Sequence, residues 1–499
     1  MNSSAPALVS AAGRECEDRL SDLAIRRLHL RSDLPEWGIL ALIVLSPLPQ
    51  ASVLPWSVLA IELAVLFLVA YSILRPGPVP QNEPLAKALK WPRIAALAFF
   101  AFVGLQLVPW PLSVLETLAP YAPILHARYA LSPAATRFLG LSFVPAETLK
   151  AASELLAYVL IGYLVLRTFA SIRQFRRLVA VIIAMGVFES LYGIFELYAP
   201  APRILFYAKE AGLDSVTGTF VNRNHFSGYV EMIIPLAIGL IVSRLSLFSL
   251  GGLTWRDKLV VMTEKGLLGT VLLAVLTVVM SIAVVFSRSR SGIATMVLTF
   301  VFFLGFAALF KERGPQQKKL IRRFVNGLLL VVVLLSVAIG VRSTVDRFSS
   351  DRLLREGRAA IWSETVRWIG QFPVFGTGLG TFATLVPGTE VEGTLIAYEH
   401  AHNEYLEYLM EAGVVGTVLL LGLIVLMLGR SLAAWRSRSD PEIRGLALGG
   451  LVSCLGVLIH GITDFNTRIP ANAMLFAVIL SATMALAFLK RSRGGAVDP

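Results

Sequence analysis

The sequence predicts an all-α integral membrane protein of about twelve transmembrane helices. Three observations carry this. Hydrophobic residues make up 56% of the 499 and charged residues only 16%, whereas a soluble domain runs near half and a quarter. Windows of about 20 apolar residues, enough to cross a hydrocarbon core, recur along nearly the whole chain. Lys and Arg gather in alternate connections between those windows, as the positive-inside rule requires.

Taken in order, the predicted spans are 36–49, 53–74, 94–112, 149–166, 178–198, 226–243, 266–286, 291–310, 324–341, 405–429, 445–463 and 471–489. Pro47 and Pro49 fall inside the first, and the second follows at once, so these two read as a tight helical hairpin. Residues 1–35 then form a cytoplasmic segment, 36–490 one polytopic membrane domain, and 491–499 a cytoplasmic tail. The stretch Met1 to Arg31 holds five Arg and no apolar run of the kind a signal peptide needs.

With the N-terminus inside, the inner connections hold 30 of the 45 Lys and Arg and the outer ones 15. The net charge of +12 is therefore a topology signal and not the mark of a nucleic-acid partner. The two cysteines, Cys16 in a polar segment and Cys454 in an apolar run, cannot meet in a disulfide. Neither has a metal-ligand spacing.

Two outer segments are long, 113–148 and 342–404. In the second, Ile361, Trp362, Val366 and Ile369 recur at near-helical spacing, and Trp362 with Trp368 suits a helix resting at the membrane interface. The GTGLG run at 376–380 lacks the Lys-Ser/Thr ending of a phosphate-cradling loop and reads as a turn.

Most groups that titrate near neutrality lie on the outer side: His126, His225, His400, His402 and the end-of-span His460, against His29 inside. Arg223 precedes the sixth span, and Arg288 and Arg290 are wedged between the seventh and eighth. Burying a guanidinium near hydrocarbon costs about 3 kcal/mol even on lenient scales, so such residues need a partner or a task. Snorkelling to lipid headgroups is the structural reading. The functional one is an anion site, since Arg offers a permanently charged, bidentate donor to phosphate oxygens. Arg358 could join it. His402 opens HNEYLEYLMEAGVVG at the entry to the tenth span, beside Asn403 and Glu404. A structural interface histidine is one reading, and a general base for a hydroxyl arriving from outside is the other.

His402, Asn403, Gly413 and Gly416 match the pattern His, Asn/Ser/Gln, nine residues, Gly, two residues, Gly/Thr/Tyr. TGTFVNRNHFSGY, FSRSRSG, IWSETVRWIGQFPVFGTGLGTF and HGITDFN accompany it in the same order. Together these resemble the O-antigen ligase and O-antigen polymerase-like superfamily of membrane glycosyltransferases, over about 215–466. The resemblance implies a GT-C-like fold with one large periplasmic loop before the His motif, in a bacterial inner membrane. It implies inverting, metal-independent transfer from an undecaprenyl-diphosphate-linked glycan, with no cofactor. His402 would be the base and Arg288, Arg290, Arg223 and Arg358 would hold the diphosphate, with Asn403, Asn224 and Glu404 in support. His225, His460 and Asp464 lie in matching stretches and default to polar packing.

An O-antigen ligase would transfer the glycan to a lipid A–core sugar and is the favoured reading. A polymerase would extend another lipid-linked repeat, and a protein O-oligosaccharyltransferase would use a Ser or Thr. A lipid-linked glycan transporter, from a different class, should carry paired halves with broken helices, and no such symmetry is evident.

Overall fold

The structure, a computed structural model, describes residues 34–75, 82–129, 138–210, 212–245, 267–308, 315–343, 348–386, 388–391 and 394–489. Nearly all of the N-terminal segment, with Cys16 and His29, lies outside the described residues, as does the tail beyond 489. The chain is an all-α integral membrane protein. Its helices are α1 (Leu34–Leu45), α2 (Pro55–Leu74), α3 (Glu83–Ala88), α4 (Lys90–Leu107), α5 (Leu112–Leu118), α6 (Ala122–Tyr129), α7 (Pro145–Thr168), α8 (Ile172–Leu197) and α9 (Arg223–Leu245). They continue as α10 (Leu267–Phe286), α11 (Arg290–Ala308), α12 (Pro315–Ser343), α13 (Phe348–Gln371), the single turn α14 (Phe382–Leu385), α15 (Glu404–Arg436), α16 (Pro441–His460) and α17 (Pro470–Ala487).

A helix lies at each of the twelve expected spans. Among the described residues nine are long and apolar enough to cross a bilayer, while α1 and Arg290–Phe306 of α11 are shorter apolar helices and α4 completes the set. The first span is shorter than expected. It stops at Leu45 because Pro47 drives the residue before it out of helical backbone. The chain reverses through Gln50, Ala51 and Ser52, all at positive φ, and the Ser52 hydroxyl donates to the Ser46 carbonyl at 2.6 Å.

At the centre α9 is buried along its whole membrane window and α16 and α17 over most of theirs. A helix apolar all round belongs inside. Lipid supplies no hydrophobic drive for helix pairing, so close backbone approach through small residues must do it. Gly239 of α9 meets Gly445 and Gly449 of α16, and a Cβ at any of the three would strike the opposite backbone.

At the His402 end the two long inter-span segments pack on each other as a cap with its own core. Leu115, Ala122 and Leu141 from the first meet Ile361, Trp368, Phe372, Phe382 and Ala401 from the second. This corrects the interfacial reading of α13. Ile361 and Trp368 are buried in the cap, and the Trp362 indole N–H donates to the Ala401 carbonyl at 2.8 Å. Val366 alone of the named stripe is largely exposed.

The GTGLG run is a turn, as expected, and it does more than reverse the chain. α15 breaks at Gly413, where φ is 60° and ψ −172°. A break at membrane depth is tolerated only where protein satisfies the released backbone groups. Here the 373–378 strand of chain does so. The Val414 N–H donates to the Pro373 carbonyl at 2.9 Å, the Thr377 N–H to Met410 at 2.9 Å, and the Gly378 N–H to Glu411 at 2.9 Å. Gln106 of α4, fully buried, donates from Nε2 to Phe375 and Glu411 carbonyls at 2.7 and 3.0 Å. Gly376 (φ +70°) and Gly413 face each other so closely that a Cβ on either would collide with the other strand's backbone.

Gly413→Ala should therefore cost at least about 2 kcal/mol, from left-handed backbone and collision together, and lower the melting temperature in detergent. Gly422→Ala, in open space on the same helix, should be neutral or slightly stabilising. Equal melting of the two variants would disprove the interlock.

Candidate functional site

The entry to α15 is built from its own sequence. Asn403 takes the cap position and its side-chain oxygen accepts the Leu406 N–H at 3.1 Å, with Glu404 and Glu407 in the first turn where the helix dipole favours acids. The residue before this cap is His402, held at φ +50°. Left-handed backbone is uncommon outside glycine, and it persists where the surroundings impose it. They do so here: the Ala401 N–H donates to Glu407 at 2.9 Å, and the Ala401 carbonyl receives Trp362.

The imposed conformation turns His402 toward the loop between α16 and α17. Its Nδ1 lies 3.2 Å from Asp464 Oδ1. A carboxylate only accepts, so Nδ1 carries the hydrogen and the Nε2 lone pair is left to receive a proton. Nε2 has no hydrogen-bond partner among the described residues, and the side chain stays 24% exposed beside an Asp464 that is fully buried. His225 Nε2 sits 3.7 Å from the same Asp464 oxygen, and the rings of His225, His400 and His402 all pack on Phe465, with centroids at 4.5, 4.2 and 4.9 Å. Burial opposes ionisation of Asp464, but the contacts from His225 and His402 outweigh it and hold its carboxyl well below the usual range.

Asp464, read from sequence as polar packing, is thus the partner that orients His402. Other participants also escaped the sequence reading. Arg468 is nearly buried, donates from Nη2 to Glu411 at 2.6 Å, lies 3.4 Å from Glu407 through Nε, and covers the Tyr408 ring at 4.2 Å. Burial alone would discharge it, yet these acids, Glu411 first, raise its pKa well above the usual value. The only available hint was an Arg three residues before the last predicted span, in NTRIP. Glu404, expected in support of the base, instead accepts the Thr467 N–H and donates its own N–H to the Gly461 carbonyl, fastening the same loop.

The arginine stretches converge on this place through buried contacts. His460, at the end of α16, bonds through Nδ1 to Glu231 of α9 at 2.6 Å and through Nε2 to the Ser291 hydroxyl of α11 at 3.1 Å. One turn on, the Asp464 N–H donates to the His460 carbonyl. Gly292 leaves room for Ser227, so the beginnings of α9 and α11 touch. Arg223 and Arg290 are the first residues of those two helices. Arg288 stands just before α11 at φ +57°, paired with Asp214 at 2.6 Å. Asn224 contributes backbone: its N–H donates to the Asn222 side-chain oxygen and its carbonyl accepts the Ser227 hydroxyl. Arg358 stands apart on α13. Burial raises the Tyr398 hydroxyl pKa and the Arg358 charge lowers it, which sets Arg358 near Tyr398, four residues ahead of His402.

Beside the start of α15 opens a cavity of about 1080 Å³, lined mainly by apolar side chains of α4, α7, α15 and α17. Its polar lining includes Glu404, Tyr405, Tyr408 and Thr467 beside the α15 entry, and Asn82, Glu83, Arg93 and Arg167. The whole arrangement offers a positioned proton acceptor, cationic side chains at two adjoining helix N-termini, where anions are favoured, and an adjacent apolar chamber.

His400 adds a pH-dependent element. Burial disfavours its charge, but Glu407, 2.8 Å away, outweighs burial and raises its pKa; Arg468 opposes that rise and Glu411 adds to it. A raised histidine contributes stability that is complete below about pH 6.5, its unfolded value, and lost as pH rises through the folded one. The melting temperature should fall between pH 6.5 and 9 in the wild type and fall less in His400→Gln; parallel slopes would remove His400 from the account.

No curated protein matches the chain. A family model described as O-antigen ligase matches residues 275–421, a stretch that includes Arg288, Arg290, Arg358, the Gly376–Gly413 interlock and His402, and stops short of Asp464 and Arg468. The motif resemblance and the family match agree: over residues 275–421 the chain is similar to the O-antigen ligase family.

Proposed function

We infer that the protein transfers a glycan from undecaprenyl diphosphate to an acceptor sugar hydroxyl, within the O-antigen ligase and polymerase type of function that the family match supports. The observation that carries this reading is the His402–Asp464 pair, a base with a free Nε2 at the mouth of a spanning helix, beside arginine-bearing helix starts. The excess of basic residues in alternate connections favours a periplasmic site with both termini inside.

The reaction follows from these parts. The acceptor hydroxyl gives its proton to His402 Nε2 as its oxygen attacks the anomeric carbon. The bond from that carbon to the diphosphate oxygen breaks on the opposite face, inverting the centre. Asp464 stabilises the imidazolium, and Arg288, Arg290 and Arg223 neutralise the charge developing on undecaprenyl diphosphate, with Arg358 as a further contact. The apolar cavity next to Glu404 and Tyr405 suits a lipid chain. The transporter alternative would use a broken helix to line a substrate path. The break at Gly413 is instead filled by the chain's own 373–378 segment. Lipid A–core is the preferred acceptor. Lipopolysaccharide from a deletion strain tests that choice, since loss of all capped core indicates a ligase and a single repeat on core a polymerase.

His402→Ala should reduce transfer from an undecaprenyl-diphosphate glycan by about 10² to 10⁴ and leave donor binding intact in the purified protein. Equal loss of binding and transfer would make His402 a donor contact. Asp464→Asn should lower turnover by a comparable factor, because an amide no longer dictates which imidazole nitrogen is protonated; wild-type turnover in this variant would sink the orienting role.

Arg288→Ala and Arg290→Ala should each weaken transfer strongly with insertion preserved, and Lys should rescue poorly wherever the guanidinium grips bidentately. Near-normal turnover in both Ala variants would favour headgroup snorkelling.

A further inference from the structure

Arg288 is already engaged by an anion from its own chain. Its Nη1 donates to Asp214 Oδ2 at 2.6 Å, with the side chains 34% and 51% exposed. An exposed ion pair contributes little to folding, yet this one is set by buried anchors on both sides. The Val216 N–H donates to the Phe286 carbonyl at 3.1 Å, joining the two segments two residues away from each partner. On the acid's side, the Ser215 hydroxyl and N–H both donate to the Gly212 carbonyl, in a turn where Gly212 takes φ +66°. Lys209, buried against Glu196 at 2.9 Å, donates to the Ser215 carbonyl at 3.0 Å. On the basic side, the Arg288 N–H donates to the Val285 carbonyl at 3.0 Å while its backbone is held at φ +57°. The fold thus keeps a non-glycine residue in left-handed backbone and sets a carboxylate against its charged end.

We propose that Asp214 is a resident counter-anion of the donor site, paired with the Arg288 guanidinium until the diphosphate of an incoming donor displaces it. The proposal rests on the reading of Arg288 as a diphosphate contact. Its chemical consequence is selectivity by competition. A phosphodiester headgroup carries a single charge and gains little by exchanging with a carboxylate on one guanidinium. A diphosphate carries more charge and more acceptor oxygens, and prevails. After transfer, the returning carboxylate helps to expel undecaprenyl diphosphate. No covalent bond is made or broken in this exchange; Asp214 only releases and re-engages the Arg288 guanidinium.

The test is anion binding to the purified full-length protein in nanodiscs, with inorganic pyrophosphate as the deciding probe and undecaprenyl diphosphate beside it. Asp214→Asn and Asp214→Ser should each bind pyrophosphate about two- to tenfold tighter, an exposed-charge effect that shrinks as salt is raised. The gain should vanish in an Arg288→Ala background. Unchanged or weaker binding in both Asp214 variants would overturn the proposal, and so would an equal gain without Arg288, which reports only the general field. Undecaprenyl diphosphate judges the donor reading separately. If wild type fails to bind it while the Arg288-dependent pyrophosphate gain stands, the donor reading falls and the counter-anion remains.

Discussion

The buried guanidinium of Arg468 is the constraint on which the His402 end depends. It stands between Glu407 and Glu411, one turn apart on α15, and brings the 461–469 loop against that helix. Removing one partner of a buried ion pair typically costs 3–5 kcal/mol, because the remaining charge cannot find water. The arrangement does more than bind two elements. Glu407 also receives the Ala401 N–H and His400, and Glu411 also receives the Phe382 N–H. One cation therefore fixes the segment that precedes His402, the loop that carries Asp464, and the chain that fills the α15 break.

That arrangement explains why two unrelated-looking irregularities coexist. Helical backbone is interrupted at Gly413 and left-handed at His402, eleven residues apart at either end of the same short helical stretch. Each is unfavourable alone. The first is satisfied by Pro373, Thr377 and Gly378, the second by Glu407 and Trp362. Apart from Glu407, which α15 itself supplies, these partners come from the cap, so the cap is the scaffold that aims the histidine, and its apolar core of Trp368, Phe372 and Phe382 keeps that scaffold in register.

Charge is distributed with similar economy. Asp464 serves His402 and stands close to His225, while Glu231 and His460 occupy each other. Arg223 and Arg290 sit at helix beginnings, where the backbone already favours anions. Arg288 meets Asp214, so the cationic and acidic groups near the site are largely committed to each other within the chain, and a ligand has to compete for them.

The sequence by itself determined the membrane class and anticipated a helix at each of the twelve expected spans, and it singled out His402 and the arginines as candidates. Those properties follow from local rules: the length of an apolar run, the punctuation of Pro47, the cap signal at Asn403 and the order of motifs. Composition could not reveal that the segments around 113–148 and 342–404 form one cap, nor that Ile361 and Trp368 face inward. An apolar stripe looks the same whether it meets lipid or protein. Nor did spacing disclose Asp464, 62 residues from His402, or Arg468, 57 from Glu411. Only the packing of α15 against the α16–α17 loop decided those partners, because a buried charge takes its counterpart from whatever element the fold brings within a few ångströms, and chain distance carries no information about that.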